Sequence, residues 1–168
     1  SGIATGIGGL PHRDATEAAV FALQRMELPA IPVLPRRSPA EGSITQAMVG
    51  MQGITVGQYG SIAVDVNKVD PLAPVVLDHD AFVGFRTFRE HARTAGYEGP
   101  VKWQFVGPVT FGIALMRAGV PMSEAFESAV RCVRTRLQHL LDAVAVALPQ
   151  SQQVVFIEEP SLAELMQP

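Results

Sequence analysis

Cysteine is nearly absent from this chain: Cys132 is the sole one in 168 residues. An internal disulfide is therefore excluded, and so is a cysteine-based zinc site assembled from this chain alone. Charge is scarce as well. Asp, Glu, Lys and Arg make up 17% of the residues, against roughly 25% in ordinary globular domains. With a mean hydropathy of +0.22, this implies much buried surface, inside the domain or against a partner. Thirteen basic and sixteen acidic side chains leave a formal charge of -3. The Arg36-Arg37 pair is too short to make a patch, which argues against nucleic acid as a partner. Apolar stretches are broken by Gly, Pro or charge well short of the ~18 residues of a membrane span. The opening Ser1-Gly2-Ile3-Ala4-Thr5 lacks the charged and apolar regions of a signal peptide, so the cytoplasm is the expected location and no membrane the expectation.

What is present alternates. Ile3 to Ile7 is short, apolar and β-branched, and runs into the loop signal Gly8-Gly9-Leu10-Pro11. Asp14 sits where an N-cap belongs, with Glu17 at capping-box spacing, and an apolar helical pattern follows up to Pro29. Ala30 to Leu34 reads as a second strand despite prolines at 29, 32 and 35, which point to a strand end or an irregular segment. Ser43 to Met51 is a short helix. Residues 54–57 and 61–65 flank Gln58-Tyr59-Gly60 and predict a β-hairpin. Asp78 to Ala95 is a helix, capped by Asp78 or Asp80 and stopped by Gly96. Val101 to Val106 is a strand, with a helix beginning near Pro108. Ser123 caps a long helix to about Leu148, and Gln153 to Ile157 is a last strand ending in Glu158-Glu159-Pro160.

Strands alternating with helices over residues 1–168 imply one domain with a parallel α/β sheet. The count is roughly four βα units, whereas a closed (β/α)8 barrel takes eight and about 250 residues. A doubly wound open sheet is the alternative, but the glycines of Gly6-Ile7-Gly8-Gly9 break the dinucleotide-binding spacing. The expected fold is thus the N-terminal half of a TIM barrel with a hairpin insertion. The Ser1-Gly2 opening and an end at Pro168 with no closing element lead us to expect a piece of a longer chain.

In parallel α/β folds ligands bind where strands end at their carboxyl side. That rule gathers Gly8-Gly9, His12, Gln104, the Gly107-Pro108-Val109-Thr110 turn and Glu158-Glu159 at one mouth. Each has an ordinary reading too. The glycines allow a tight turn, or close approach of backbone to ligand. His12 beside Arg13 is a solvated loop histidine or a site group. The Gly107 turn is turn chemistry, or a helix N-terminus that attracts an anion or carboxylate. Adjacent Glu158 and Glu159 face opposite sides of a strand, so one at most points into the mouth and the other meets solvent or a basic partner. A carboxylate there binds a substrate ammonium or transfers a proton, and the first is preferred. Cys132 reads as a buried, inert thiol. Arg131, Arg134 and Arg136 read as a solvated helix face. Trp103 and Phe105 read as packing against helices.

Three motifs in order carry a resemblance. ATGIGGLPHRD, QFVGPVTFG and VVFIEEPSLAEL resemble the T-x-IGS-FP segment, the GPVT turn and the IQIDEPAL-RE strand end of cobalamin-independent methionine synthases, within the superfamily that includes uroporphyrinogen decarboxylases. The resemblance implies a methyltransferase of methionine biosynthesis, passing a methyl group from a folate-type donor to a thiol such as homocysteine. It implies that Ile7, Gly8 and Gly9 line the amino-acid substrate, that Glu158 meets its amine, and that Glu164 lies near the folate. Gly9 replaces a family serine and Glu158 an aspartate, and no equivalent of the internal G-E-P-E-R segment is found. The family's zinc ligands fall beyond Pro168, so the resemblance implies no cofactor in this chain, zinc in the parent protein, and inactivity alone. The alternatives are a non-catalytic half-barrel that associates through its open edges, and a superfamily member with decarboxylase-like chemistry.

Overall fold

The computed structural model describes residues 2–57 and 61–165, except for the side chains of residues 164 and 165. The proposed turn at Gln58-Tyr59-Gly60 lies outside the described residues. Helix α1 (Ala15–Arg25) begins as its cap dictates, with Asp14 accepting from the Glu17 N–H at 2.8 Å. Its buried face is Ala15, Ala18, Ala19 and Ala22, small residues that allow close packing of a neighbouring element. After α2 (Ser43–Met48) comes the antiparallel hairpin of β1 (Ile54–Val56) and β2 (Ile62–Val64). Helix α3 (Val83–Thr94) follows, and Gly96, at φ +62°, continues the chain past its end. Its entry departs from expectation: a 3-10 turn over Asp80–Phe82 precedes it, and His79 Nδ1, not an aspartate, accepts from the Ala81 N–H.

Strand β3 (Val101–Val106) leads into α4 (Pro108–Arg117), α5 (Met122–Ala147), β4 (Gln153–Glu158) and the short α6 (Leu162–Leu165). Helix α5 carries Pro121 at its N-cap rather than Ser123, which lies inside the first turn. β3 and β4 pair in parallel, Val101 opposite Gln153 through Val106 opposite Glu158. The two segments expected as strands near the start form isolated parallel bridges instead: Thr5 with Leu28, Gly9 with Val33, and Ala30 with Lys102. Pro29 and Pro32 remove ladder donors, and Gly6, Gly8 and Gly9 offer no side chains to pack, so the ladders stay discontinuous. The bridges nevertheless set these segments side by side in chain order: first, second, β3, β4. The fold is mixed α/β.

All six residues of β3 are buried, as for a strand covered on both faces. Trp103 faces the helices, edge-on to Phe85 at 6.3 Å between ring centroids. Its indole N–H donates to Gln153 Oε1 at 2.9 Å, which ties β3 to β4. Phe82, Phe88, Phe111 and Met48 extend this core. Cys132 is buried within it, and burial pushes its thiol up to about 11. Arg136 corrects the reading of a solvated arginine face: it is 0% exposed. It sits in the buried stripe of α5 with Ala129, Cys132, Val133 and Leu140, and donates to the carbonyls of Val49 at 3.0 Å and Pro74 at 3.3 Å. Burial pulls its guanidinium down to about 10.

Candidate functional site

The inner face of the sheet, opposite Trp103, carries a lysine that sequence reasoning passed over. Lys102 is 1% exposed. Its ammonium donates to the carbonyls of Gly6 at 3.2 Å and Ile7 at 2.9 Å, and to Gln104 Oε1 at 3.1 Å. Three donors meet three acceptors, so its hydrogen-bonding capacity is filled. The Phe156 ring lies beneath it, 4.6 Å from Nζ to centroid. Burial lowers the Lys102 pKa, and the charge of Glu158 works in the opposite direction. Among the described residues no carboxylate is in ion-pair contact with it. The signal was available: a lysine inside an otherwise apolar strand, two residues before a glutamine of the same parity.

Around this ammonium the structure brings together Ile7, Gly8, Gln104 and Glu158. Gly8 has φ +103°, and a Cβ there would stand 1.9 Å from Gln104 Nε2. Its glycine is therefore demanded by backbone conformation and by the amide packed against it. The Gly8 carbonyl accepts from Val33 at 2.9 Å, which closes the bridge to the second segment. Gly9 is exposed, and a Cβ there would meet nothing within 4 Å. The Ile7 side chain is 79% exposed, so what reaches Lys102 is its backbone. Glu158, paired in register with Val106, shares the inner face and is half-buried.

One expected participant stands elsewhere, and another cannot be placed by its side chain. His12 packs against Phe21 of α1, ring centroids 5.3 Å apart, with its Nδ1 buried and unpartnered. Glu164 falls in α6, and its side chain lies outside the described residues. The two readings of the Gly107 turn resolve through Glu159. Its carboxylate accepts from the N–H groups of Val109 at 2.9 Å and Thr110 at 2.7 Å. The α4 N-terminus does attract a carboxylate, and the chain supplies it. Glu159, expected to meet solvent or a basic partner, is half-buried, and its carboxylate also caps these two N–H groups.

Several clefts lie away from this group. One, of about 510 Å³, runs between β1 and the Ser38–Ala40 turn and is lined by His79. Among the described residues no group of three or more His, Cys, Asp or Glu side chains converges to hold a metal ion. Among them too, no helix is long and apolar enough to cross a membrane. No family model, curated protein or solved structure matches the chain.

Proposed function

We propose that the four parallel segments are the first half of a (β/α)8 barrel, and that the chain carries the amino-acid end of a methyltransferase site of the cobalamin-independent methionine synthase kind. The observation that supports it is the inner-face group: Ile7 and Gly8 from the first segment, Gln104 from β3 and Glu158 from β4, gathered about Lys102. Sequential parallel order with helical crossovers is the topology of such barrels, and strand carboxyl ends are where their ligands bind. In this reading Glu158 receives the substrate ammonium, and the exposed Gly9 backbone allows close approach. The reaction breaks a folate N–CH3 bond and forms an S–CH3 bond; the sulfur loses its proton and the leaving nitrogen gains one. Zinc finds no ligand set among the described residues, so no step is assigned to it here.

Methyl transfer tests the proposal. The product of the complete reading frame, loaded with zinc and given a methyltetrahydropteroyl-polyglutamate and L-homocysteine, should form methionine. A zinc-loaded protein that forms none would overturn it.

A second reading, association through open sheet edges, is favoured by exposed apolar side chains at both margins: Ile3 (67%) and Ile7 (79%) on one, Phe156 (47%) and Ile157 (48%) on the other. It is compatible with the first, since a half-barrel would use the same edges to close.

A further inference from the structure

We propose that the cleft beside β1 is a binding site for an adenine-type base, held by the unpaired backbone edge of that strand and by His79. The site is distinct from the Lys102 group, and it does not depend on the methyl-transfer reading.

The cleft, of about 510 Å³, falls within the roughly 300–1,000 Å³ of small-molecule sites. The Asp65 N–H donates to the Gly53 carbonyl and the Gly57 N–H to the Ser61 carbonyl, both at 2.8 Å. Gly53, Thr55 and Gly57 therefore turn their backbone groups toward β2. The alternation of an antiparallel pair turns those of Ile54 and Val56 away from it. The Ile54 N–H is taken by the Met51 carbonyl at 3.2 Å. What remains unpaired on this edge, among the described residues, is the Ile54 carbonyl, the Val56 N–H and the Val56 carbonyl. Ile54 and Val56 both line the cleft, so it is bordered by an acceptor, a donor and an acceptor in a row.

His79 lines the cleft as well, and its Nδ1 accepts from the Ala81 N–H at 3.0 Å. An accepting Nδ1 carries no proton, so the neutral ring has its proton on Nε2. Nothing among the described residues accepts from that N–H. Pro39, Ala40 and Val49 give the lining its apolar part. The matching ligand is flat, with a donor beside an acceptor on one edge and a further acceptor elsewhere. Adenine meets this. Its amine donates to the Ile54 carbonyl, and the adjacent ring nitrogen accepts from the Val56 N–H. The C–H beyond them faces the Val56 carbonyl, and the remaining ring nitrogens offer His79 an acceptor. An extended peptide suits the edge less, because within β1 it would find ladder groups for a single residue only.

Titration of the isotope-labelled chain, followed by its assigned amide resonances, tests the site with four bases. They are adenine, 1-deazaadenine (no acceptor for Val56), N,N-dimethyladenine (no donor for Ile54) and 2,6-diaminopurine (a second donor, for the Val56 carbonyl). Adenine should move the resonances of Val56 and His79. The deaza and dimethyl bases should bind about tenfold more weakly, each for one lost hydrogen bond, and diaminopurine about tenfold more tightly. Val56→Pro deletes the N–H on the side away from β2, which leaves the ladder intact. It should weaken adenine by about tenfold and leave 1-deazaadenine unchanged, a pattern that a merely distorted strand would not give. His79→Ser keeps a cap acceptor for Ala81 and should weaken all four bases alike. The proposal falls where the wild-type chain binds no adenine, where 1-deazaadenine binds as tightly as adenine, or where the shifts lie away from Val56 and His79.

Discussion

Glu159 and Thr110, 49 residues apart in sequence, are joined by a hydrogen bond of 2.7 Å from the Thr110 N–H to Glu159 Oε2. The Ser161 N–H returns a bond to Thr110 Oγ1 at 3.2 Å. The turn after β4 is thereby fastened to the first turn of α4, where a carboxylate interacts favourably with the helix dipole. Its neighbour Glu158 has no part in this clamp. Two adjacent glutamates thus divide into one that holds the fold and one that faces the inner surface.

That division is measurable. Glu159→Gln should lower the unfolding free energy by about 1–3 kcal/mol, since charge-assisted bonds to two partly buried N–H groups are weakened. Glu158→Gln should change it by less than about 0.5 kcal/mol. Urea denaturation of both variants decides the matter, and equal losses would refute it.

The two rim glycines should differ as sharply. Gly8→Ala places a methyl group at φ +103° and against the Gln104 amide. We expect a loss of about 1–3 kcal/mol, from conformational strain and from displacement of the amide. Gly9→Ser meets open space and should stay within about 0.5 kcal/mol of the parent. Thermal unfolding of the two variants would show the contrast, and a costly Gly9→Ser would contradict it.

Much of this was legible from local chemistry. Asp14 announced α1, the apolar runs announced β3 and β4, and residues 54–65 announced a hairpin. What was not legible depends on contacts distant in sequence. Nothing near Lys102 signals that its partners are the carbonyls of Gly6 and Ile7, some 95 residues earlier. Nor does the Gly107 turn signal that its carboxylate comes from Glu159. Arg136 differs, because its buried neighbours on α5 recur at helical spacing through position 136. That periodicity points inside, whereas the general habit of arginine, on which the solvated-face reading rested, points outside. The carbonyls of Val49 and Pro74 decided for periodicity.

Arg136 therefore yields its own test. Arg136→Ala removes packing and leaves the Val49 and Pro74 carbonyls unpaired, for an expected cost of about 3–5 kcal/mol. Arg136→Met restores much of the volume and relieves the burial of a charge, so about 1–2 kcal/mol is expected. Equal losses in guanidinium denaturation would show that packing is not what the arginine stem contributes.

A polar network beside α3 should make stability depend on acid. Arg37 donates to the buried Glu41 at 2.7 Å and to Asp80 at 2.9 Å. Burial pushes the Glu41 carboxyl up, against the pull of Arg37 and of the Leu34 N–H. Asp80 is held below its ordinary value by its hydrogen bond to Arg37. A depressed carboxyl contributes stability that is present above its unfolded pKa, near about 4, and is lost as pH falls through the folded value. With its side chain 54% exposed, Asp80 should contribute under about 1 kcal/mol. Asp80→Asn should therefore be less stable than the parent at pH 6, and the gap should narrow as the pH falls below the ordinary carboxyl range. A gap that does not narrow with acid would assign the effect to shape rather than charge.

The open margins give the last test. β4 pairs with β3 along one edge, and among the described residues its other edge has no strand beside it. Ile157 is 48% exposed there, and unpaired parallel backbone beside apolar side chains favours pairing with another chain. Sedimentation velocity over a hundredfold range of concentration should show mass rising with concentration. Ile157→Lys adds a charge at that margin and should move the rise to higher concentration, by about tenfold if one apolar side chain of this size is buried on association. A monomer across the whole range, with or without the substitution, would overturn association through this edge.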